Sequence, residues 1–291
     1  MSIQPPTSRK GFTLVELAIV LVIIGLIVGG VLTGQDLMKG AGVRATIDQL
    51  GKYHTATAVF HDKYKSLPGD LGIRDAQRFG FEVAGRGTGN GQGDQDGRLE
   101  CGLPACADER AFGAETAMFW RDLYDAGLIA ALTNRATGDV AGGAIADLYP
   151  GTLISYLPQA ALQNGNFFAV FQAQGRNFIQ LTGIRSIARS NGAYQLDPSL
   201  SPQEAFNLDE KMDDGMPRRG ALRALDNTVL NSLNQGSSMQ YASDGGAAST
   251  PGAPAEGVCV VATGSDADQP YNTLTPAIAQ IPSCILKYRF Y

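Results

Sequence analysis

The sequence predicts an α+β chain: one long N-terminal helix, half of it membrane-spanning and half amphipathic, packed on a head of antiparallel sheet and short helices. Three observations predict it. Residues 14–32 form an apolar run broken by one charge, Glu16. Further on, Val43, Ile47, Leu50, Thr57, Phe60, Tyr64 and Leu67 recur at spacings of three, four and seven, the stripe of an amphipathic helix. Residues 167–171 and 177–182 are apolar or mixed runs on either side of Gln174-Gly175-Arg176, the pattern of a β-hairpin. The composition agrees: 291 residues with 44% hydrophobic and 18% charged side chains suffice for a sizeable core and exclude a largely disordered chain.

The apolar run comes first. A helix over 14–32 rises about 28 Å, close to the hydrocarbon thickness of a bilayer. Arg9 and Lys10 precede it with no acidic residue before them, which predicts a cytoplasmic N-terminus and an exported remainder. A secretory signal peptide fits poorly, because the apolar run is too long and no clean small-x-small cleavage site follows. A plain signal anchor leaves Glu16 unexplained, since a carboxylate deep in a membrane helix costs roughly 2.5–3.5 kcal/mol and needs a partner or a function.

Around that carboxylate the sequence reads Lys10-Gly11-Phe12-Thr13-Leu14-Val15-Glu16. This string resembles the prepilin processing motif of type IV pilins and the pseudopilins of type II secretion. The resemblance implies cleavage after Gly11 by a prepilin peptidase and N-methylation of the new first residue, Phe12. It further implies that Glu16 pairs with the N-terminal ammonium of a neighbouring subunit during assembly. Each charge is expensive to bury alone, and together they neutralise one another and fix register. The partners implied are the peptidase, other pilin-like subunits and an inner-membrane assembly machinery. The domains expected are a leader (1–11), the N-terminal helix (12–67) and a periplasmic or extracellular head (68–291) with loops at 80–100 and 235–257.

The helix is expected from Phe12 to Lys65, stopped by Ser66-Leu67-Pro68-Gly69-Asp70. Gly25, Gly29, Gly30, Gly34, Gly40 and Gly42 each weaken it by about 1 kcal/mol relative to alanine, or allow close packing of neighbouring membrane helices. Thr33 stands where many pilins carry a helix-breaking proline. His54 and His61 lie seven apart on this helix and read as polar residues at the edge of a docked face.

Residues 85–97 are glycine-rich, with Asn90, Gln92, Asp94 and Asp96 alternating before Gly97. Alternate oxygen-bearing side chains before a turn glycine suit calcium, which takes six to eight oxygens around a sharp bend. No acid stands at the twelfth position from Gln92, which is Leu103, and Asp108 or Glu109 would have to close the shell. A plain surface loop is the alternative, and calcium at this loop is the only cofactor the sequence raises. Cys101 and Cys106 bracket a short loop that closes as a disulfide if their Cα atoms come within about 7 Å. Cys259 and Cys284 form the other natural pair.

A helix is expected over 115–128, with Met118, Phe119, Leu123 and Ala126 inward and Trp120 on its flank. Another spans 202–212, stopped by Asp213-Asp214-Gly215. Those acids sit at the unfavourable end of the helix dipole, so they are solvated or bound. Residues 235–257 read as a surface loop, and 258–261 and 284–291 as closing strands. The strings from Tyr64 to Asp70, the glycine-rich turn, the Trp120 helix and Asp209 to Gly215 together resemble large prepilin-like proteins.

Other functions fit less well. A net charge of −5 supplies no basic excess for nucleic acid. No Gly-x-Ser-x-Gly elbow is present, and both histidines fall on one helix, which leaves little for a Ser-His-Asp enzyme. The rival is a membrane-anchored periplasmic protein that binds or adheres through calcium.

Overall fold

The computed structural model describes residues 13–87, 93–101, 112–130, 150–162, 165–173, 175–187, 194–196, 199–225, 259–261 and 269–290. The chain divides into two compact units, and the boundary between Gly42 and Val43 falls inside the first helix, α1 (Leu14–Tyr64). The observed helix lies within the expected one, starting after Thr13 and ending one residue before Lys65.

In the first unit α1 presents apolar side chains outward: Leu14 is 84% exposed and Leu26 75%. By length and composition this helix can cross a membrane. Thr33 does not break it; its hydroxyl donates to the Gly29 carbonyl at 3.0 Å, inside the helical ladder.

In the second unit the stripe does what its periodicity predicts. Val43, Leu50, Thr57, Phe60, Tyr64 and Leu67 are buried, and Ile47 packs at the rim of the core. Two polar side chains add hydrogen bonds. Gln49 donates to the Gln159 carbonyl (3.1 Å) and accepts from the Ala161 amide (2.8 Å), while the Thr46 hydroxyl accepts from the Leu162 amide (3.1 Å). Three backbone groups of 159–162 thereby find partners on α1, and the Ala160 amide donates to the Asn166 carbonyl of β1.

The remaining elements are α2 (Ile73–Phe79), α3 (Ala114–Asp125), α4 (Pro150–Leu153), β1 (Asn166–Ala173), β2 (Arg176–Ile187), β3 (Tyr194–Leu196), α5 (Pro202–Met212), β4 (Leu222–Leu225), α6 (Pro276–Ala279) and β5 (Ile285–Arg289). The expected hairpin is β1–β2, paired antiparallel from Asn166↔Gly183 to Ala173↔Arg176. Four antiparallel strands run in the order β1-β2-β5-β4, and β3 pairs with the far end of β2. The architecture is α+β, as the sequence predicts.

Two expectations need correction. Trp120 is not on a flank: it is fully buried, with its ring edge-on to Tyr53 of α1 (4.9 Å between centroids) and to Phe119 (4.9 Å). Residues Ala114 to Phe119 are buried too, because α3 runs through the core and has no solvent flank at that level. Of the strand expected over 258–261, the described residues 259–261 form an isolated antiparallel bridge, Val260↔Tyr271, flanked by hydrogen bonds from the Val261 amide to the Pro270 carbonyl and from the Asn272 amide to the Cys259 carbonyl, after which the chain turns into α6. Cys259 is bonded to Cys284, with Cα atoms 4.9 Å apart, which ties this bridge to the base of β5. Cys101 is also disulfide-bonded. Cys106 and the 235–257 loop lie outside the described residues.

Candidate functional site

At the N-terminus, Gly11 and Phe12 lie outside the described residues, and Glu16 lies within them. Thr13 is the N-cap of α1 and Glu16 its third residue. The Thr13 amide and hydroxyl both donate to Glu16 Oε2 (2.8 and 2.9 Å), and the Glu16 amide donates back to Thr13 Oγ1 (3.3 Å). This is a reciprocal capping box, which satisfies donors that a helix start otherwise leaves open. Thr13-x-x-Glu16 at the head of the apolar run is itself the sequence pattern of a capping box. One carboxylate oxygen is engaged by the cap, and among the described residues none donates to the other.

The head holds a second constellation, built on the turn that ends α1. Gly69 has φ +90°, and a Cβ there would collide with the Glu115 carbonyl oxygen, so only glycine fits between this turn and α3. The Gly69 amide donates to Asp122 Oδ2 at 2.7 Å. Arg86 forms an ion pair with the other oxygen of Asp122, and both side chains are buried. Its remaining donors go to the carbonyls of Leu71 (2.9 Å), Gly69 (3.3 Å) and Glu82 (2.7 Å). One buried guanidinium thus joins three carbonyls on two stretches of backbone to α3, and the Asp122 carboxylate balances its charge.

That frame presents Asp70. Its side chain is buried, with Oδ1 accepting from the Gln95 amide (2.6 Å) and Oδ2 from the Gly97 amide (2.9 Å). Glu115, also buried, accepts from the amides of Gly93 (2.7 Å) and Glu100 (2.9 Å). Asn177 of β2 completes the clamp by accepting from the Leu99 amide (3.0 Å) and donating to the Gly97 carbonyl (2.9 Å). The second half of the glycine-rich segment is therefore an anchored loop. Carboxylate oxygens of Asp70, Asp94 and Asp96 lie within 4.8 Å of one another. Asp94 and Asp96 are the expected pair, brought together with Asp70, whose distance in sequence hid it. Asn90, Gln92, Asp108 and Glu109 lie outside the described residues.

This concentration of acids changes their ionisation. Burial pushes Asp70 up to about 7, against the pull of its two amides, and Asp94 and Asp96 push the same way. Glu115 is pushed up to about 9, first by burial and then by Asp70 and Asp94. Burial thus favours the protonated forms of Asp70 and Glu115, and a hard cation bound beside them would favour the charged ones.

A third acidic group closes α5. Ser201 caps that helix with Glu204 reciprocating, and Asp213 and Asp214 follow its last turn. Asp209 is buried and pushed up to about 7 by burial, against the hydrogen bond from the Tyr271 hydroxyl (2.8 Å). His54 lies edge-on to Tyr288 of β5 (6.2 Å), at the rim of the docked helix as expected.

Comparison with known proteins bears on the first of these sites. Residues 6–32 match the family model for the prokaryotic N-terminal methylation motif. No curated protein and no solved structure matches the chain. The match spans the predicted cleavage position, the capped carboxylate and the exposed apolar half of α1, so the chain carries at its N-terminus the signature of type IV pilins and pseudopilins.

Proposed function

We propose that this chain is a structural subunit of a type IV pilus or type II secretion filament. Prepilin peptidase cuts it after Gly11 and methylates Phe12. The subunit waits in the inner membrane with its head outside and joins the filament through α1. The observation that carries this reading is the methylation motif lying on an apolar helix with outward-facing side chains, next to an amphipathic half docked on a large head. The chemistry is done on the chain at Gly11 and Phe12, and the chain itself is not an enzyme. A head of this size with several loops suits a low-copy subunit better than the main repeating one.

The capping box sharpens the role of Glu16. Its capped oxygen needs no partner, and its second oxygen is the one a neighbour's N-terminal ammonium would meet. Capping and pairing make different demands, because glutamine keeps a cap acceptor and loses the charge. In a strain carrying the full chain, Glu16→Gln should leave membrane insertion intact and reduce incorporation into sheared or purified filaments as strongly as Glu16→Ala. Normal incorporation of Glu16→Gln would show that the cap alone is the role of Glu16.

The second reading, a membrane-anchored periplasmic protein that binds or adheres through calcium, draws on the Asp70, Asp94 and Asp96 cluster. It keeps its leader and has no use for a filament-register charge. Calcium at that cluster is compatible with both readings, so the processing of Gly11 separates them.

A further inference from the structure

We propose that the sheet face turned away from the docked half of α1 binds an anion of the phosphate class, held by Arg176, Arg223, Lys287 and Arg289 beside Gln180. The register brings these side chains together. Lys287 of β5 stands opposite Gln180 of β2 and opposite Arg223 of β4, so the three form one row across the sheet. Phe178 and Arg289 form the next row, and Arg176 lies two residues before Phe178 on the same face. The Lys287 ammonium lies over the Phe178 ring, 4.7 Å from its centroid. The opposite face carries Phe168 and Tyr288, whose rings meet Tyr53 and His54 of α1.

The independent observation is at Gln180. This side chain is only 3% exposed, and its Nε2 is buried with no hydrogen-bond acceptor among the described residues. A buried donor left open is costly. What it lacks is an acceptor, and an acceptor that carries negative charge is also what the surrounding cations attract.

The charge on this face is one-sided. Strands β1, β2, β4 and β5 contain no acidic residue. Arg223 and Lys287 stand directly opposite one another, and like charges in that position destabilise a sheet. Arg223 is held below its ordinary value first by burial and then by Arg289 and Arg176, against the pull of Asp213 and Asp214. Its Nε donates to the Gly220 carbonyl (3.0 Å), which ties the side chain to the turn before β4. Exposure is graded across the patch: Arg176 and Arg289 are exposed, Arg223 is half-buried and Lys287 is 7% exposed. An anion would pass two exposed guanidinium groups and reach a partly dry floor, where charge-assisted hydrogen bonds are strongest.

Three of the four cations are arginines, whose planar forks match phosphate oxygens in pairs. Neighbouring strands lie about 4.8 Å apart, so cations on β2, β5 and β4 span about 10 Å, which suits two linked phosphate groups better than one. The chain as a whole carries −5, so this patch is a local feature that fits a compact anion and not a nucleic-acid track. A free diphosphate and a lipid headgroup offer the same chemistry.

Isothermal titration of the full chain in an uncharged detergent tests this, with pyrophosphate and, separately, short-chain phosphatidic acid as probes at about 1 mM. The unsubstituted chain should bind at least one of them. Tighter binding of pyrophosphate assigns the site to a free diphosphate, and tighter binding of phosphatidic acid assigns it to a lipid headgroup. Arg176→Gln/Arg289→Gln, which alters two exposed side chains, should weaken binding about tenfold or more with an unchanged near-ultraviolet circular dichroism spectrum. Gln180→Met removes the buried donor at unchanged charge and should weaken binding as well. Lys52→Gln/Lys63→Gln removes the same charge from exposed positions on α1 and should bind as the unsubstituted chain does. No binding of either probe by the unsubstituted chain, or equal losses in the two double variants, would overturn the proposal. Neither result touches the processing of Gly11.

Discussion

Replacing Asp122 by alanine should unfold the frame that carries Asp70. The substitution removes the acceptor of the Gly69 amide and strands the Arg86 guanidinium, which is 2% exposed. Breaking a buried ion pair from one side costs about 3–5 kcal/mol. A domain of 150–250 residues loses about 2–4 °C per kcal/mol, so the head's midpoint should fall by roughly 6–20 °C. Asp122→Asn keeps an acceptor for Gly69 and should cost less than Asp122→Ala. Adding Arg86→Met to Asp122→Leu should recover part of the loss, because an apolar pair carries no stranded charge. Recovery stays incomplete, since the carbonyls of Leu71, Gly69 and Glu82 lose their donor. Trp120 is the only tryptophan, is buried and lies on the same helix, so its fluorescence in a thermal or urea titration of the full chain reports this region. A loss below about 1 kcal/mol for Asp122→Ala would refute the claim that this pair holds the turn.

Two further outcomes follow from the acidic clusters. Asp70 and Glu115 have folded-state pKa values raised to about 7 and about 9, so the folded chain binds more protons than the unfolded one between the ordinary carboxylate range and those values. Without divalent cations the head should therefore lose stability as pH rises from about 4 towards 9, and a urea midpoint rising over that range would contradict the burial argument. Calcium should raise the thermal midpoint most at the alkaline end. Asp94→Ala with Asp96→Ala should abolish that shift, and an undiminished shift would return residues 93–97 to a plain loop.

What the sequence made legible is local. The ends of α1, its buried stripe, the β1–β2 hairpin and the bounds of α5 follow from periodicity, capping residues and proline or glycine stops, each read within a few neighbouring residues. What it hid is polar and distant. Asp70 meets the Gln95 and Gly97 amides, Glu115 meets Gly93, and Arg86 meets Asp122, none of them at a helical or strand spacing. Buried carboxylates that accept backbone amides have no sequence signature, because the partner group is present at almost every residue. Trp120 departs from its expected flank for a related reason: α3 is buried around most of its circumference, and a one-sided apolar pattern does not describe such a helix. α2 is only seven residues long, too short for periodicity to announce.

The central claim concerns what happens to the chain before it does anything. It is tested most directly by the mass of the N-terminal peptide of protein purified from native membranes of cells with an active prepilin peptidase. The account predicts a peptide that begins at Phe12 and carries one added methyl group on its amine. A peptide that retains Met1 to Gly11 would contradict it and leave a plain membrane-anchored protein.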